Sequence, residues 1–351
     1  MNRELLFLTL LLCSSCSSIY RFSIEIQEPA PVTIPVSAQN VLILNNTVTQ
    51  PKDFGIERTF DGQSIRTDYP LSLDSMSWSA IDEIAAVFEE SKFFNTIAVY
   101  REPIRTDSEW FSITPLSPEI QLELYDTEDY DALFVIERLL FSIDENVKKT
   151  QQGALTPESN IFVDMYIGGI LTCSIYSFEK ERPITTINVS DSIGVKTTFV
   201  NDSTLLFKFL PEHVLDVFSR SLGNQAAKHF IPTWKTSERQ LFVSFNPRMQ
   251  EAAGYAADYQ WENAELVWVA ELEKKTKPVD MAKIAFNLAV TNEMRDKFDS
   301  ALEWAQKAKG YLKDVDKDKN SQEIEFTDKY ISELERRIQN NQLLDLQWGK
   351  E

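Results

Sequence analysis

IAFNLAVTNEMRDKFDSALEWAQKA, residues 284–308, is the stretch that decides the fold of the second half of this chain. Its apolar and small side chains recur every three or four residues, which is the period of an α-helix with one buried face. Alanines fall where two such helices would cross closely, and Phe298 stands at the start of the second helix. The stretch therefore predicts a helical hairpin.

The same spacing occurs once more, 37 residues earlier, because Trp261 precedes Phe298 by the same interval as Ala264 precedes Ala301. The pattern resembles the tetratricopeptide repeat, a helical hairpin that stacks on its neighbours. The positions that carry the resemblance are Leu288, Ala289, Phe298, Ala301, Ala308, Trp261 and Ala264. The chain departs from the family at Asn292 and Asp296, where tyrosine and glycine are usual. The alternative is a generic helical bundle.

A last long helix is predicted from Ile324 to Leu344, with Tyr330 and Leu334 on its apolar side. Its charged side would cover the open end of the stack, since terminal repeats need a polar outer face. Repeat proteins commonly present the first helix of each hairpin to a ligand. We therefore expect Asn287 and Asn292 to face a partner, an envelope protein or peptide.

The first half of the chain changes between the strand period and the helix period, which predicts an α+β domain with a mixed sheet and covering helices. Gly168 and Gly169 are compatible with a tight turn, but we predict a β-bulge, because a bulge preserves the alternation of the apolar residues around them. The predicted strands are Val41–Leu44, Thr96–Tyr100, Ala132–Ile136, Ile161–Phe178 and Ile184–Ser190, and the predicted helices are Ser77–Ser91 and Pro211–Phe230. This order of elements resembles the N-terminal domain of the TolB type.

The N-terminus reads as an export signal. Arg3 precedes the apolar run Leu5–Leu12, which is too short for a hydrocarbon core that needs about 20 residues. Ser14 and Ser15 before Cys16 resemble the lipobox of bacterial lipoproteins, which implies cleavage after residue 15 and a lipid on Cys16. The alternative is an ordinary cleaved signal with incidental cysteines.

These features predict four segments. Residues 1–15 are the signal peptide, and residues 16–37, with Pro29, Pro31 and Pro35, suit a tether. Residues 38–240 form the α+β domain, and residues 245–351 form an all-α helical-repeat domain. The polar segment between Trp234 and Pro247 separates the two domains.

The whole layout resembles a family of uncharacterised Bacteroidota lipoproteins of the domain-of-unknown-function type. The resemblance implies a protein exported to the outer membrane and held there by its lipid anchor. Residues 17–21 lack the acidic cluster that resembles the surface-export signal of that phylum, so a periplasm-facing protein is expected. The family supplies no catalytic residues.

Composition and motifs favour binding over catalysis. The net charge of −19 repels phosphate backbones, which excludes nucleic acid as a natural partner. The sequence has no recognisable catalytic, cofactor or metal motif, and His213 and His229 are sixteen residues apart in one predicted helix. Cys173 is expected to be a core residue. We therefore predict a non-enzymatic scaffold or adaptor that binds through its repeats. The alternative is a glycan-binding or glycan-processing lipoprotein that uses exposed aromatics such as Trp110, Trp234 and Trp261.

Overall fold

The computed structural model describes residues 19–51, 54–64, 74–102, 104–105, 109–128, 130–151, 159–178, 182–200, 212–243 and 246–350. The predicted signal peptide, Cys16 and Pro211 lie outside this part of the chain. The chain divides into two compact units. The helical unit comprises Met1–Glu28 and Trp234–Leu344, and the α/β unit comprises Pro29–Thr233 and Asp345–Glu351. An α+β region followed by an all-helical region confirms the predicted fold class.

The α/β unit is built on a seven-stranded mixed sheet. Its strands are β2 (Asn40–Asn45), β3 (Ile56–Phe60), β4 (Gln63–Ser64), β5 (Thr96–Val99), β6 (Ala132–Gln151), β7 (Ser159–Ser177) and β8 (Thr185–Val200). Strand β2 lies between β5 and β6 and is parallel to both, while β6, β7 and β8 form an antiparallel meander. Strand β3 runs parallel to the later part of β6, and β4 pairs with β3.

Helices cover both faces of this sheet. Helices α1 (Asp74–Ser91) and α3 (Glu212–Ala227) pack on the face that carries Val41 and Ile43. Helix α2 (Pro118–Glu128) packs on the opposite face. Strand β2 is therefore buried on both faces, which explains its continuous apolar run. Helix α2 was missed because the prolines around it predicted a long irregular connection.

The predicted bulge at Gly168 and Gly169 is wrong. Both glycines pair in regular register with β6 and β8, and the register shift lies in β6, between Ile136 and Arg138. A Cβ on Gly169 would lie 2.6 Å from a ring carbon of Phe218 in α3. The glycine is thus explained by the close approach of a helix.

The helical unit contains two helical hairpins and a final long helix. Its helices are α4 (Pro247–Ala257), α5 (Trp261–Leu272), α6 (Pro278–Glu293), α7 (Phe298–Tyr311) and α8 (Ser321–Gln347), of which α8 ends in residues assigned to the α/β unit. The two hairpin turns have the same geometry. Tyr259 and Asp296, 37 residues apart, both have a left-handed backbone, with φ of 59° and 56°. In each turn, the next residue donates its N–H to a carbonyl five residues earlier.

Two strands complete the helical unit, β1 (Ile19–Glu28) and β9 (Thr233–Phe242), which pair with each other in a separate two-stranded sheet. Residues 19–28 were predicted to belong to a tether, and the structure corrects this. Ile19 and Phe22 pack against the core of the helical unit. Alternating apolar residues at Phe22, Ile24 and Ile26 give this segment the period of a strand, and the prolines begin only after it.

Candidate functional site

The helical unit holds its own strand β9 on the surface where a repeat protein would hold a ligand. The side-chain oxygen of Asn287 in α6 accepts the backbone N–H of Phe242 at 2.7 Å, and the amide nitrogen donates to the carbonyl of Phe242 at 2.8 Å. The ring of Phe242 contacts Phe286 in α6 and Phe326 in α8. We call this surface of α6 and α8, covered by β9, the filled groove.

A buried ionic cluster fixes the middle of β9. Arg239 forms a bidentate ion pair with Glu293 at the end of α6, and both nitrogen–oxygen distances are 2.7 Å. Tyr330 donates its hydroxyl to Glu293 at 2.7 Å, and Arg337 also donates to this carboxylate. Glu333 lies 3.2 Å from the Arg239 guanidinium. All polar atoms of the pair are thus satisfied from α6, α8 and β9, as a buried ion pair requires.

The cluster keeps Arg239 and Glu293 charged. Burial alone would raise the pKa of Glu293, but the hydrogen bonds and charge of Arg239 outweigh it and hold that pKa below its usual value. Burial would likewise lower the pKa of Arg239, and the contacts with Glu293 reverse the direction. The pKa of Tyr330 is raised by burial and then by the negative charge of Glu293. The ion pair thus links β9 to α6, and Tyr330 and Arg337 link it to α8.

A cleft of about 210 Å³ lies beside the filled groove. Its lining mixes both signs of charge with apolar rings, contributed by β1, β9, α6 and α8. A cleft of this size is smaller than the usual pocket for a drug-sized ligand.

Asn287 and Asn292 do not face a partner, which corrects their predicted role. Their exposed fractions are 0% and 3%. The side chain of Asn287 bonds to the backbone of Phe242 in β9. The amide of Asn292 donates to the carbonyl of Leu288 within its own helix. The prediction failed because the face of α6 that a ligand would use is already covered by this chain.

The repeat-defining positions lie in or beside the core of the helical unit. Leu288 and the small residues Ala264, Ala289, Ala301 and Ala308 have no exposed surface. The partly buried rings are Trp261, which lies 5.7 Å from Phe22, and Phe298, which lies under the guanidinium of Arg337.

A second polar site, which the sequence did not predict, is buried in the α/β unit. Glu137 lies at the register shift of β6 and is 3% exposed. Its carboxylate accepts hydrogen bonds from Asn46, which follows β2, at 2.6 Å and from Tyr176 of β7 at 3.0 Å. Burial raises the pKa of Glu137, and the two hydrogen bonds oppose that shift. Burial also raises the pKa of the nearby Cys173 thiol, so this cysteine is an inert core residue.

The arrangement of the tryptophans does not support a sugar platform. Trp110 is buried, Trp261 packs against Phe22, and Trp234 alone among the seven tryptophans is mostly exposed. In the described part of the chain, no group of three His, Cys, Asp or Glu side chains is arranged to hold a metal ion. No described helix combines the length and the apolar character that crossing a membrane requires.

Residues 38–242 match the family described as a domain of unknown function, DUF8603. The chain belongs to this family. Residues 250–336 match a second domain of unknown function, DUF6340. A search of curated proteins gives no significant sequence match.

Solved structures give distant alignments. A dodecameric PelC from Paraburkholderia phytofirmans aligns at 8% identity over 60% of this chain and 98% of that one, with a TM-score of 0.21. Lipoprotein GNA1162 from Neisseria meningitidis aligns at 13% identity over 54% and 98%, with a TM-score of 0.21. A minor lipoprotein from Acinetobacter baumannii aligns at 10% identity over 54% and 93%, with a TM-score of 0.23. Two of the three are lipoproteins by name, but TM-scores this low establish no common fold.

Proposed function

We propose that this protein is a lipid-anchored envelope protein without chemistry of its own, which binds another protein through its helical unit. The N-terminal signal and Cys16 support the anchor and the export. The outer membrane and a periplasmic orientation follow from the resemblance to Bacteroidota lipoproteins, and the two hairpins with matching turns support an assignment as tetratricopeptide-like repeats.

The observation that carries the binding function is an apolar stripe on the outer side of α5. Leu266 is 70% exposed and Val269 is 38% exposed, and the next residue, Ala270, is exposed as well. Their spacing places them on one side of the helix. At the other end of the stack, α8 contributes Tyr330 and Leu334 to the core. The first hairpin has an apolar outer face where a terminal repeat needs a polar one.

The chemistry of this stripe favours an amphipathic helix as the partner. Glu262, which also pairs with Arg295 at 2.8 Å, and Glu273 are exposed at the two ends of the stripe, and the chain carries a net charge of −19. A partner helix with an apolar face and flanking basic side chains would complement both features. Because β9 covers the filled groove, the exposed α5 stripe replaces that groove as the proposed binding surface.

Capture from detergent-solubilised envelope tests this function with the double variant Leu266→Ser and Val269→Ser. Both side chains are exposed, so we expect the melting temperature to stay within about 2 °C while a partner retained by the wild type is lost. The control is Leu122→Ser, which changes a 55% exposed leucine of α2 and should retain that partner. Undiminished capture by the double variant would contradict the surface. Turnover of a glycan or peptide, abolished by one carboxylate change, would replace the binding function with an enzymatic one.

A further inference from the structure

The start of β1 is close in sequence to the proposed lipid anchor. Ile19, the first residue of the strand, follows Cys16 by three residues. A fully extended chain gains at most about 3.6 Å per residue, so Ile19 lies within roughly 11 Å of the acylated residue. One headgroup layer is about 5–7 Å thick. This inference rests on the lipid anchor of the proposed function. With an anchor at Cys16, the start of β1 lies close to the headgroup layer.

Aromatic side chains gather at this end of the helical unit. Tyr20, which is 37% exposed, stacks on Phe22 with ring centroids 5.9 Å apart. Phe22 in turn contacts Trp261 at the start of α5. Tyr259 stands two residues before Trp261, in the first hairpin turn, and is 82% exposed.

Tyr259 occupies a backbone conformation that does not favour it. A left-handed φ suits glycine, asparagine or aspartate, and the equivalent position of the second hairpin holds Asp296. A bulky residue there strains the backbone. Because the ring is exposed, packing within the helical unit does not explain it. Tyrosine and tryptophan are the residues that proteins place at the level of lipid headgroups, where a ring can be apolar at one end and hydrated at the other.

We propose that Tyr20 and Tyr259, beside the partly buried Trp261, form a membrane-contact patch through which the helical unit lies on the headgroups of the bilayer holding the lipid anchor. The charges around the patch are mixed, with Arg21 on β1 and Asp258 and Glu262 beside the turn. A surface without net positive charge gains nothing from anionic lipids. The patch therefore binds a zwitterionic surface through its rings, in the same plane that the anchor defines.

Fluorescent labels on two variants of the lipidated full chain, each with one introduced cysteine, test this patch in phosphatidylcholine vesicles. Asp258→Cys places a label beside Tyr259, and Thr276→Cys places the control label at the opposite end of α5, about 18 Å away along a helix of 12 residues. Cys173 is fully buried, so only the introduced thiol reacts. Nitroxide lipids with a shallow spin label should quench the label at residue 258 several-fold more strongly than the label at residue 276. Adding Tyr20→Ser and Tyr259→Ser should remove most of that difference.

Flotation with the vesicles separates the possible failures. A chain that does not float lacks the anchor, which overturns the proposed lipidation and this patch together. A chain that floats while both labels are quenched equally retains the anchor and overturns the patch alone. Equal quenching with and without the two tyrosines also overturns it, since the rings would then contribute nothing to the contact.

Discussion

At the scale of single residues, Asn287 explains how a strand is held where a ligand would be expected. An asparagine side-chain amide presents its acceptor oxygen and one donor N–H on the same side, so it can pair with both backbone groups of one residue. Phe242 is 4% exposed, and its N–H and C=O would otherwise be buried in the helical unit without this partner. The amide therefore substitutes for a neighbouring strand.

Removing this amide should destabilise the protein without touching its surface. Asn287→Ala leaves two buried backbone groups without the Asn287 amide, at about 1–3 kcal/mol each, so we expect a loss of roughly 2–6 kcal/mol. Chemical denaturation of the full chain measures it. The control Asn263→Ala removes an exposed asparagine of α5 whose side chain bonds to that of Gln260, and it should cost little. Equal losses for the two variants would show that Asn287 does not hold β9.

Glu137 is the residue that the sequence did not predict, because it and Arg138 merely interrupt a run of apolar residues and its environment is created by the register shift in β6. Its pKa is raised in the folded protein, so the folded state binds its proton more tightly than the unfolded chain does. This carboxyl therefore adds stability at low pH, and the contribution is lost as pH rises through the raised pKa.

Glu137→Gln should abolish that contribution. Relative to the variant, the wild type should gain unfolding free energy as pH falls from 7 towards 5, opposite to the trend of a salt-bridged carboxylate. Denaturation of both proteins across this range gives the difference directly. A difference that is constant with pH, or that grows as pH rises, would mean that folding does not raise the pKa of Glu137.

At the scale of elements, the periodicity of apolar residues in the sequence predicted most strands and helices. The stripe Ile81, Ala85 and Phe88 of α1 followed from spacing alone. Strand β9 did not, because its polar residues interact with partners far away in the sequence, such as Glu293. Strand β1 was detectable from its alternation, but the prolines after it were given more weight.

The crossing of α1 and α3 provides a prediction with a matched control. A Cβ on Gly223 would lie 2.5 Å from the carbonyl oxygen of Ala80, so Gly223→Ala should cost roughly 1–3 kcal/mol by forcing the helices apart. Gly254 in α4 has nothing within 4 Å of its Cβ position, so Gly254→Ala should instead stabilise by about 0.5–1 kcal/mol. Urea denaturation reports both. Two changes of the same sign would contradict the packing described for α1 and α3.

At the scale of the whole molecule, the sequence predicted the two classes of structure but not the division of the chain between them. The helical unit takes its strands from both sides of the α/β region, and Asp345–Glu351 at the end of the chain belong to the α/β unit. There Gln347 bonds to both backbone groups of Ala30, and Trp348 contacts Phe93. Periodicity is a local signal, so it does not report such long-range partners. For the same reason it predicted a ligand at Asn287 where the chain supplies its own strand.

The central claim is that the helical unit binds a protein through the exposed stripe of α5 and not through the filled groove. Site-specific photo-crosslinking in intact cells tests it most directly, with a photoreactive residue at Leu266 in one strain and at the exposed Leu122 of α2 in another. The account predicts a discrete crosslinked protein from residue 266 that is absent from residue 122. The absence of any crosslinked protein at residue 266, or the same products from both positions, would contradict it.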